Sequence, residues 1–572
     1  MFPAQFTQNE TLLQLFSWEQ RISNPSNLLA TLTSLRYSSE AEIVKHLRAV
    51  LDSLFGILAA PQNDSGDFSR PVFISLVSIL GIVADRRFQN FKPVLDTYIR
   101  DHSTTSIAHS HILKSMQSLI ADHNTSGEVA QNLRSALKVI SPLFRIILRS
   151  REIQRTRNLG SGVTSDHLET AFKRDVDSLL AQINDLMISK TPASVLGTQV
   201  LVLQHIAGII PMLITIFGNQ ECAKRMSTFC DCISSYSGKS ASRKLLLLAQ
   251  IVTSPLLDSP ANRATLIPNL VAWLKPHFVK FETASMQTSA EAQNSAQINW
   301  LETIRLANTV VAAIVDRLHE SLLDPNLKAE KDLLVQEQDN AEYSLSLLPR
   351  IVDIYLELGS STYTQTILQS RSSASIVSAS PAVFPVSHPF SLLSKYPQST
   401  SDPQDDISTF RADQGELGVV VLSLLWIVPP SVFRNFVDAA MQVEGRERFA
   451  RFLAQLFRTL HSLLSGQAYP SSWLSISSLA HSVVIKLAGP VSFLLEEEFV
   501  PRQAVSHSFD FVLWKSFFSM YMQALASGHL DVEDFYPQKR RSIWKSEHEV
   551  ILLICLLIAR YSYWRPSCKL CY

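Results

Sequence analysis

Glycine is scarce in this sequence, at 17 of 572 residues, well under the usual share of about 7%. Sheets use glycine at turns and bulges, so its scarcity favours helices. No stretch alternates apolar and polar residues with period two, so few strands are expected. Cysteine is sparse too. Cys222, Cys230, Cys232, Cys555, Cys568 and Cys571 are the six in the chain, which fits a reducing compartment. An excess of charge is also missing. Lys+Arg and Asp+Glu are both 51, and without a basic excess a nucleic-acid partner is not expected. The longest apolar runs are Val419–Val428, interrupted at Ser423, and Val550–Ala559. Each is about half of the roughly 20 residues that a membrane span needs. The opening MFPAQFTQNETLL has no basic region followed by an apolar run, so no secretory signal is read. A soluble, cytoplasmic protein is the expectation.

What is present is apolar residue in helical register. Hydrophobic residues make up 46% of the chain, enough for a large core. From Ser39 to Leu58 the positions Ile43, Val44, Leu47, Val50, Leu51, Leu54, Phe55 and Leu58 form one helical stripe. Ser39 with Glu42 predicts a capping box at its start. A second helix is expected from Pro71 through Val72, Phe73, Leu76, Val77 and Leu80. A third follows Thr164 and Ser165, lined by Phe172, Val176, Leu179, Leu180, Ile183 and Met187, with Asp166 and Glu169 in its first turn. Further patterns cover Ala193–Phe217, Ser242–Thr253, Asn299–Leu323, Ser344–Leu358, Leu417–Val443, Phe449–Leu464, Leu474–Leu487 and Phe511–Leu525.

Single cores stop growing near about 250–300 residues, whereas stacked helix pairs extend freely. The expected fold is therefore all-α, an irregular armadillo/HEAT-like α-solenoid without a fixed sequence period. Residues 359–412, rich in Ser, Thr and Pro, are expected to be a disordered linker. They would divide a first solenoid part, 38–358, from a second, 413–545.

Catalytic and ligand motifs are weak. Gly238-Lys239-Ser240 has the tail of a phosphate-binding loop, but Ile233 stands where its first glycine belongs. Gly160 and Gly162 begin a dinucleotide fingerprint that Ser165 breaks. Cys222, Cys230 and Cys232 match no zinc spacing and read as buried thiols, and Cys568 with Cys571 is a lone pair. No catalytic residue, cofactor or metal is expected. Arg145, Arg149, Arg151, Arg155 and Arg157 form a dense basic run. It reads either as a solvated helix end complementing the dipole or as a surface for an acidic partner or anionic lipid. For the second reading the candidate residues are Arg149, Arg151, Arg155 and Arg157. QKRRSIWK, Gln538–Lys545, leaves the same two readings open.

GIVADRRFQNFKPVLDTYIRDH, Gly81–His102, resembles the helical region of the dedicator-of-cytokinesis (DOCK) family of guanine-nucleotide exchange factors for Rac and Cdc42. The likeness includes TQNETLLQLFSWE, NPSNL, EAEIVKHLRAVLDSLFGIL, LFRIILRSREI and WKSFFSMYMQALASGHLDVEDFYPQKRRSIWK. It is strongest over residues 1–160, and the low-complexity stretch is similar to fungal members. The family combines a lipid-binding β-sandwich domain, an armadillo-like helical region and a C-terminal exchange domain. The resemblance implies that residues 1–37 are the lead-in after an absent lipid-binding domain, and that no exchange-domain residue has a counterpart. Residues 546–572 depart from the family pattern and read as a mis-predicted gene end. The role implied is a scaffold within an exchange factor for Rho-family GTPases, itself not an enzyme. Its partners would be that GTPase through the absent domain and an adaptor protein, with the parent recruited to the plasma membrane. The alternative is a free-standing α-solenoid adaptor. The corner Asp85, Arg86, Arg87, Phe88, Phe91 and Pro93 is read as architecture, with a contact edge for a neighbouring domain as the rival reading. Phe88 and Phe91 are expected to be buried, at about 1.5–3 kcal/mol each. Arg86 and Arg87 are expected outside, or paired with Asp85 and Asp96.

Overall fold

The computed structural model describes residues 7–123, 127–158, 165–190, 195–233, 238–281, 290–324, 330–360, 412–466, 468–469, 474–499 and 510–526. The expected linker, apart from its first two residues and its last, and the expected atypical tail both lie outside these residues. So does the Gln538–Lys545 basic run. Among the described residues every regular element is a helix. The contacts divide the chain into two compact units. One holds Met1–Leu247 with Ser254–Leu256, the other Leu248–Thr253 with Leu257–Tyr572. Within each unit, helices pack chiefly on helices near them in the chain, the pattern of an α-solenoid.

In the first unit the Ser69–Ala84 helix packs against Pro25–Leu35, Leu47–Ala59, Ala108–Ala121 and Glu128–Lys138. Val72, Phe73, Leu76, Val77 and Leu80 are all buried, as the spacing predicts. The stripe from Ile43 to Leu58 is buried as well, but it lies on two helices, Glu40–Lys45 and Leu47–Ala59. His46 leaves helical geometry between them, at φ −107° and ψ 23°. Ser39 is the N-cap residue, yet its side chain makes no capping bond. The expected capping box does not form. Glu42 instead accepts a hydrogen bond from the Thr7 hydroxyl at 3.0 Å.

The Ser165–Ile188 helix begins where expected and buries Phe172, Val176, Leu179, Ile183 and Met187. It packs with Ile140–Asn158 on the Ala108–Ala121 helix. Gly218 joins Ile210–Phe217 directly to Asn219–Asp231 at φ 81°. A side chain there would be strained, so glycine permits a corner one residue long.

In the second unit Pro260–Leu274 packs on Lys331–Leu345, and Ala290–Leu323 on Ala412–Ile427. The Ala412–Ile427 helix also packs on Leu348–Leu358, which in turn meets Arg446–Leu464. Helices before and after the 359–412 stretch thus share one core, and the division by contact falls at residues 248–257 instead. The Tyr355 hydroxyl lies 3.0 Å from Ser462 Oγ, and Gln455 donates to Asp353 at 2.7 Å. Arg305 pairs with Asp413. Phe511–Leu525 closes on Arg446–Leu464 through Phe457 and Phe517, ring centroids 5.6 Å apart.

Three further expected helices are broken, the first being Ala193–Phe217, which a 3₁₀ turn at Ile206–Ile209 divides. Ser344–Leu358 divides at Ser346 and Leu347, and Leu417–Val443 divides at Val428 and Pro429. By length and composition, Val195–Phe217, Ser295–Leu323 and Ser475–Glu498 could each cross a membrane, and Asp413–Ile427 with Pro430–Glu444 could as a bent pair. Uninterrupted apolar runs do not reveal them, because amide, histidine, hydroxylated and scattered charged residues break the runs. In the fold, 44%, 61% and 50% of the three apolar windows are buried inside the protein.

Candidate functional site

The arginine-rich run occupies the Ile140–Asn158 helix. Leu143, Phe144, Ile146 and Ile147 are buried and seat it on Ala108–Ala121. Its arginines are mostly engaged. Arg145 pairs with Asp96, and Arg149 with Glu152 at 2.6 Å. Arg157 donates to the Thr104 carbonyl at 2.8 Å and to Ser106 Oγ at 3.2 Å. Arg151 is only 5% exposed. It donates to Glu169 at 3.0 Å and to Gln154, and its guanidinium carbon lies 5.6 Å from the Phe172 ring centroid. Arg155 is exposed and has no ion-pair partner among the described residues. The four candidate residues therefore do not form one open basic patch. Arg151 binds the helix to Ser165–Ile188, and Arg157 holds the loop before Ala108.

Beneath Arg151 lies a buried polar pair. His109 Nδ1 is 3.2 Å from Ser150 Oγ, and the His109 ring meets Phe172 edge-on at 5.8 Å. Burial, followed by the charge of Arg151, pushes His109 down to about 4. The imidazole is neutral at pH 7 and serves as packing.

The corner adjoins this helix through the Arg145–Asp96 pair. It winds as a short 3₁₀ turn, Arg86–Phe91, followed by Lys92–Thr97 with Pro93 in its first turn. Phe88 and Phe91 are half-buried, which corrects the expectation that they anchor the corner in the core. Leu95, Tyr98 and Ile99, one to two turns later, do that. Tyr98 stacks on Phe55 at 6.3 Å and donates to Asp52 at 2.8 Å. Phe88 carries the Arg87 guanidinium 5.4 Å from its ring centre. Arg87 bridges Asp85 at 3.1 Å and Glu40 at 2.9 Å, while Arg86 is exposed. Asp96 is used by Arg145, not by Arg86 or Arg87.

The other motifs dissolve into structure. Gly238 starts a helix, Gly238–Thr253. Lys244, six residues on, is buried and donates to the Ile233 carbonyl at 2.8 Å, with burial lowering its pKa. Gly160 and Gly162 lie outside the described residues. Cys222 and Cys230 are buried free thiols pushed up to about 12 by burial, which makes them poor nucleophiles. Among the described residues no group of three or more His, Cys, Asp or Glu could hold a metal ion.

One buried polar network is not revealed by spacing. Arg263 is 6% exposed and Glu337 fully buried. Arg263 Nε donates to Glu337 at 2.8 Å, Nη1 to the Leu257 and Asp258 carbonyls at 2.7 and 2.8 Å, and Nη2 to Ser321 Oγ at 2.8 Å. Asn340 donates to the second Glu337 oxygen at 3.5 Å. The network ties Pro260–Leu274, Lys331–Leu345 and the end of Ala290–Leu323 together. Lys486 plays a similar part at the end of Ala412–Ile427. It donates to the Leu425 carbonyl at 3.3 Å and to that of Trp426, so it satisfies last-turn acceptors. Burial lowers its pKa to about 8.

Among the described residues, these polar side chains fix helices to one another. The family model for the dedicator of cytokinesis (DOCK) TPR region matches residues 24–565. The chain belongs to the dedicator of cytokinesis family. The match includes the middle of the chain and most of 546–572, the stretch whose pattern departs from the family by sequence reading. Dedicator of cytokinesis protein 4 of Mus musculus is 24% identical over 546 residues, 94% of this chain and 23% of its own length. The Homo sapiens protein 4 gives the same figures. Dedicator of cytokinesis protein 3 of Homo sapiens is 22% identical over 94% of this chain and 23% of its own. The chain thus spans about a quarter of the relatives it matches. A solved circular tandem repeat protein with novel repeat topology covers 97% of this chain and 95% of its own at 11% identity, with a TM-score of 0.21.

Proposed function

We propose that this DOCK-family chain is the helical scaffold region of an exchange factor for Rho-family GTPases, with Rac and Cdc42 as targets. The observation that carries the reading is the family match over residues 24–565, on a stretch that spans 23% of its relatives. The engaged arginines, buried thiols and neutral His109 supply no catalytic group of their own. Nucleotide exchange would then reside elsewhere in the full-length family architecture. This region would set the spacing and orientation of the parts it joins, and offer helix faces to an adaptor. In this reading the protein works in the cytoplasm, with membrane recruitment supplied by a separate lipid-binding domain. The test is a chimera in which this chain replaces the matching region of mouse dedicator of cytokinesis protein 4. Its release of labelled nucleotide from Rac and Cdc42 is compared with that of the unaltered protein and of one with the region deleted. Activity close to the unaltered protein supports the scaffold role. Activity no better than the deletion rejects it.

A further inference from the structure

Chain-wide, acidic and basic residues balance at 51 each. One part of the second unit does not. The Lys331–Leu345, Pro430–Glu444 and Arg446–Leu464 helices enclose an open groove of about 460 Å³. Phe436, Phe449 and Phe452 line its base, with Phe436 and Phe452 edge-to-face at 6.4 Å. Tyr343 and Val443 stand at its rim, 54% and 84% exposed. Such exposure of large apolar side chains beside a groove marks an interaction site more often than a scattered surface residue does.

The charge at the rim is one-sided. Asp339, Glu342 and Glu444 line the groove against a single base, Lys275. None of the three acids has an ion-pair partner among the described residues. Burial, followed by the neighbouring Asp339, raises the Glu342 carboxyl above the usual carboxylate range. A cation arriving from outside would relieve both effects. Across the Pro430–Glu444 helix a second groove, about 440 Å³, shows how this surface takes a guanidinium. There Arg434 pairs with Glu497 at 3.1 Å and lies 4.4 Å from the centre of the Phe493 ring. The first groove repeats that setting of aromatic and acid without an arginine of its own.

We propose that the groove around Val443 is a docking site for a basic amphipathic helix of a partner protein, with apolar anchors in the groove and Lys or Arg facing Asp339, Glu342 and Glu444. Helix-in-groove recognition needs an apolar trough with anchors repeating at helical spacing, and the acids supply register and sign. The same acids repel an anionic membrane and a nucleic-acid backbone, so neither is the occupant.

The test is selection of a display library of helix-forming peptides, about 16 residues long, on the full chain. The selected peptides are then measured against Val443→Asp and the double variant Asp339→Lys/Glu342→Lys. The substituted positions are exposed or half-buried, so the variants should melt with the parent. Glu342→Gln serves if the double variant does not. The expected binders carry Leu or Phe at helical spacing flanked by Lys and Arg. Their affinity should fall roughly tenfold or more on each charge or rim variant and weaken with added salt. Failure to select any binder, selection of acidic peptides, or binding indifferent to these variants would overturn the proposal.

Discussion

Replacing Arg263 by Met should be among the most damaging single changes in the second unit. In the native protein the guanidinium makes four donations, all between 2.7 and 2.8 Å, inside a site where Glu337 is fully buried. The substitution leaves a buried carboxylate whose remaining side-chain donor is Asn340 at 3.5 Å, and removes the donor shared by two carbonyls. Breaking one side of such a pair costs about 3–5 kcal/mol, mostly as uncompensated buried charge. For a unit of this size that lowers the melting temperature by roughly 4–8 °C. The double variant Arg263→Met/Glu337→Met removes both charges and should recover most of the loss. The assay is thermal and urea unfolding of the two single variants and the double, with hydrogen exchange in Pro260–Leu274 and Lys331–Leu345 as the local readout. If Arg263→Met costs less than about 1 kcal/mol, or if the double variant loses the sum of the singles, the reasoning about this pair is wrong.

Other outcomes follow from single contacts. His109 titrates at about 4 when folded against an ordinary 6.5, so the unfolded chain binds the proton first. Its contribution is complete above pH 6.5 and is lost as pH falls towards 4, by about 3 kcal/mol. His109→Gln should flatten that part of the stability profile, and an unchanged slope would count against it. A Cβ at Gly418 would meet Leu463 Cδ2 at 2.5 Å and Tyr355 at 3.2 Å, so Gly418→Ala should destabilise by about 1–3 kcal/mol. Gly81→Ala, with nothing within 4 Å, should stabilise its helix by roughly 0.5–1 kcal/mol; the two melts side by side decide. Cys222 and Cys230 should resist alkylation in the native protein and react on unfolding, as read by mass spectrometry. Early labelling of either would show that they are not sealed. Cleavage at a protease site engineered between residues 370 and 390 should leave both fragments co-eluting with the parent's melt, because helices on either side share a core. Separation of the fragments would refute that packing.

The apolar stripes were readable because burial on one helix face needs only local spacing, and those of Ile43–Leu58 and Ser165–Ile188 are buried as the spacing requires. Breaks within stripes were harder. His46 interrupts a helix without disturbing its apolar register, and Ser346 and Leu347 do the same. Pro429–Pro430 lies inside the Leu417–Val443 pattern and marks its break, since proline disfavours helix in the residue before it. Charged residues misled in both directions. Arg151 looks like one more member of a surface run, yet its partner Glu169 lies on another helix. Arg263 and Glu337 are 74 positions apart, and nothing in their local sequence marks them as buried. Aromatic content was no better a guide at the corner. Phe88 is held under Arg87 at the surface, while Tyr98 takes the buried place because its hydroxyl has Asp52 to donate to. The candidate groove depends on three helices meeting, and spacing along any one of them does not reveal it.

The most direct test of the scaffold reading is release of labelled nucleotide from Rac and Cdc42. It should be measured with this chain alone and with a version extended through the sequence that follows it in the genome. The expected result is intrinsic release with the chain alone and accelerated release with the extended protein. Acceleration by the chain alone, or by neither protein, would contradict it.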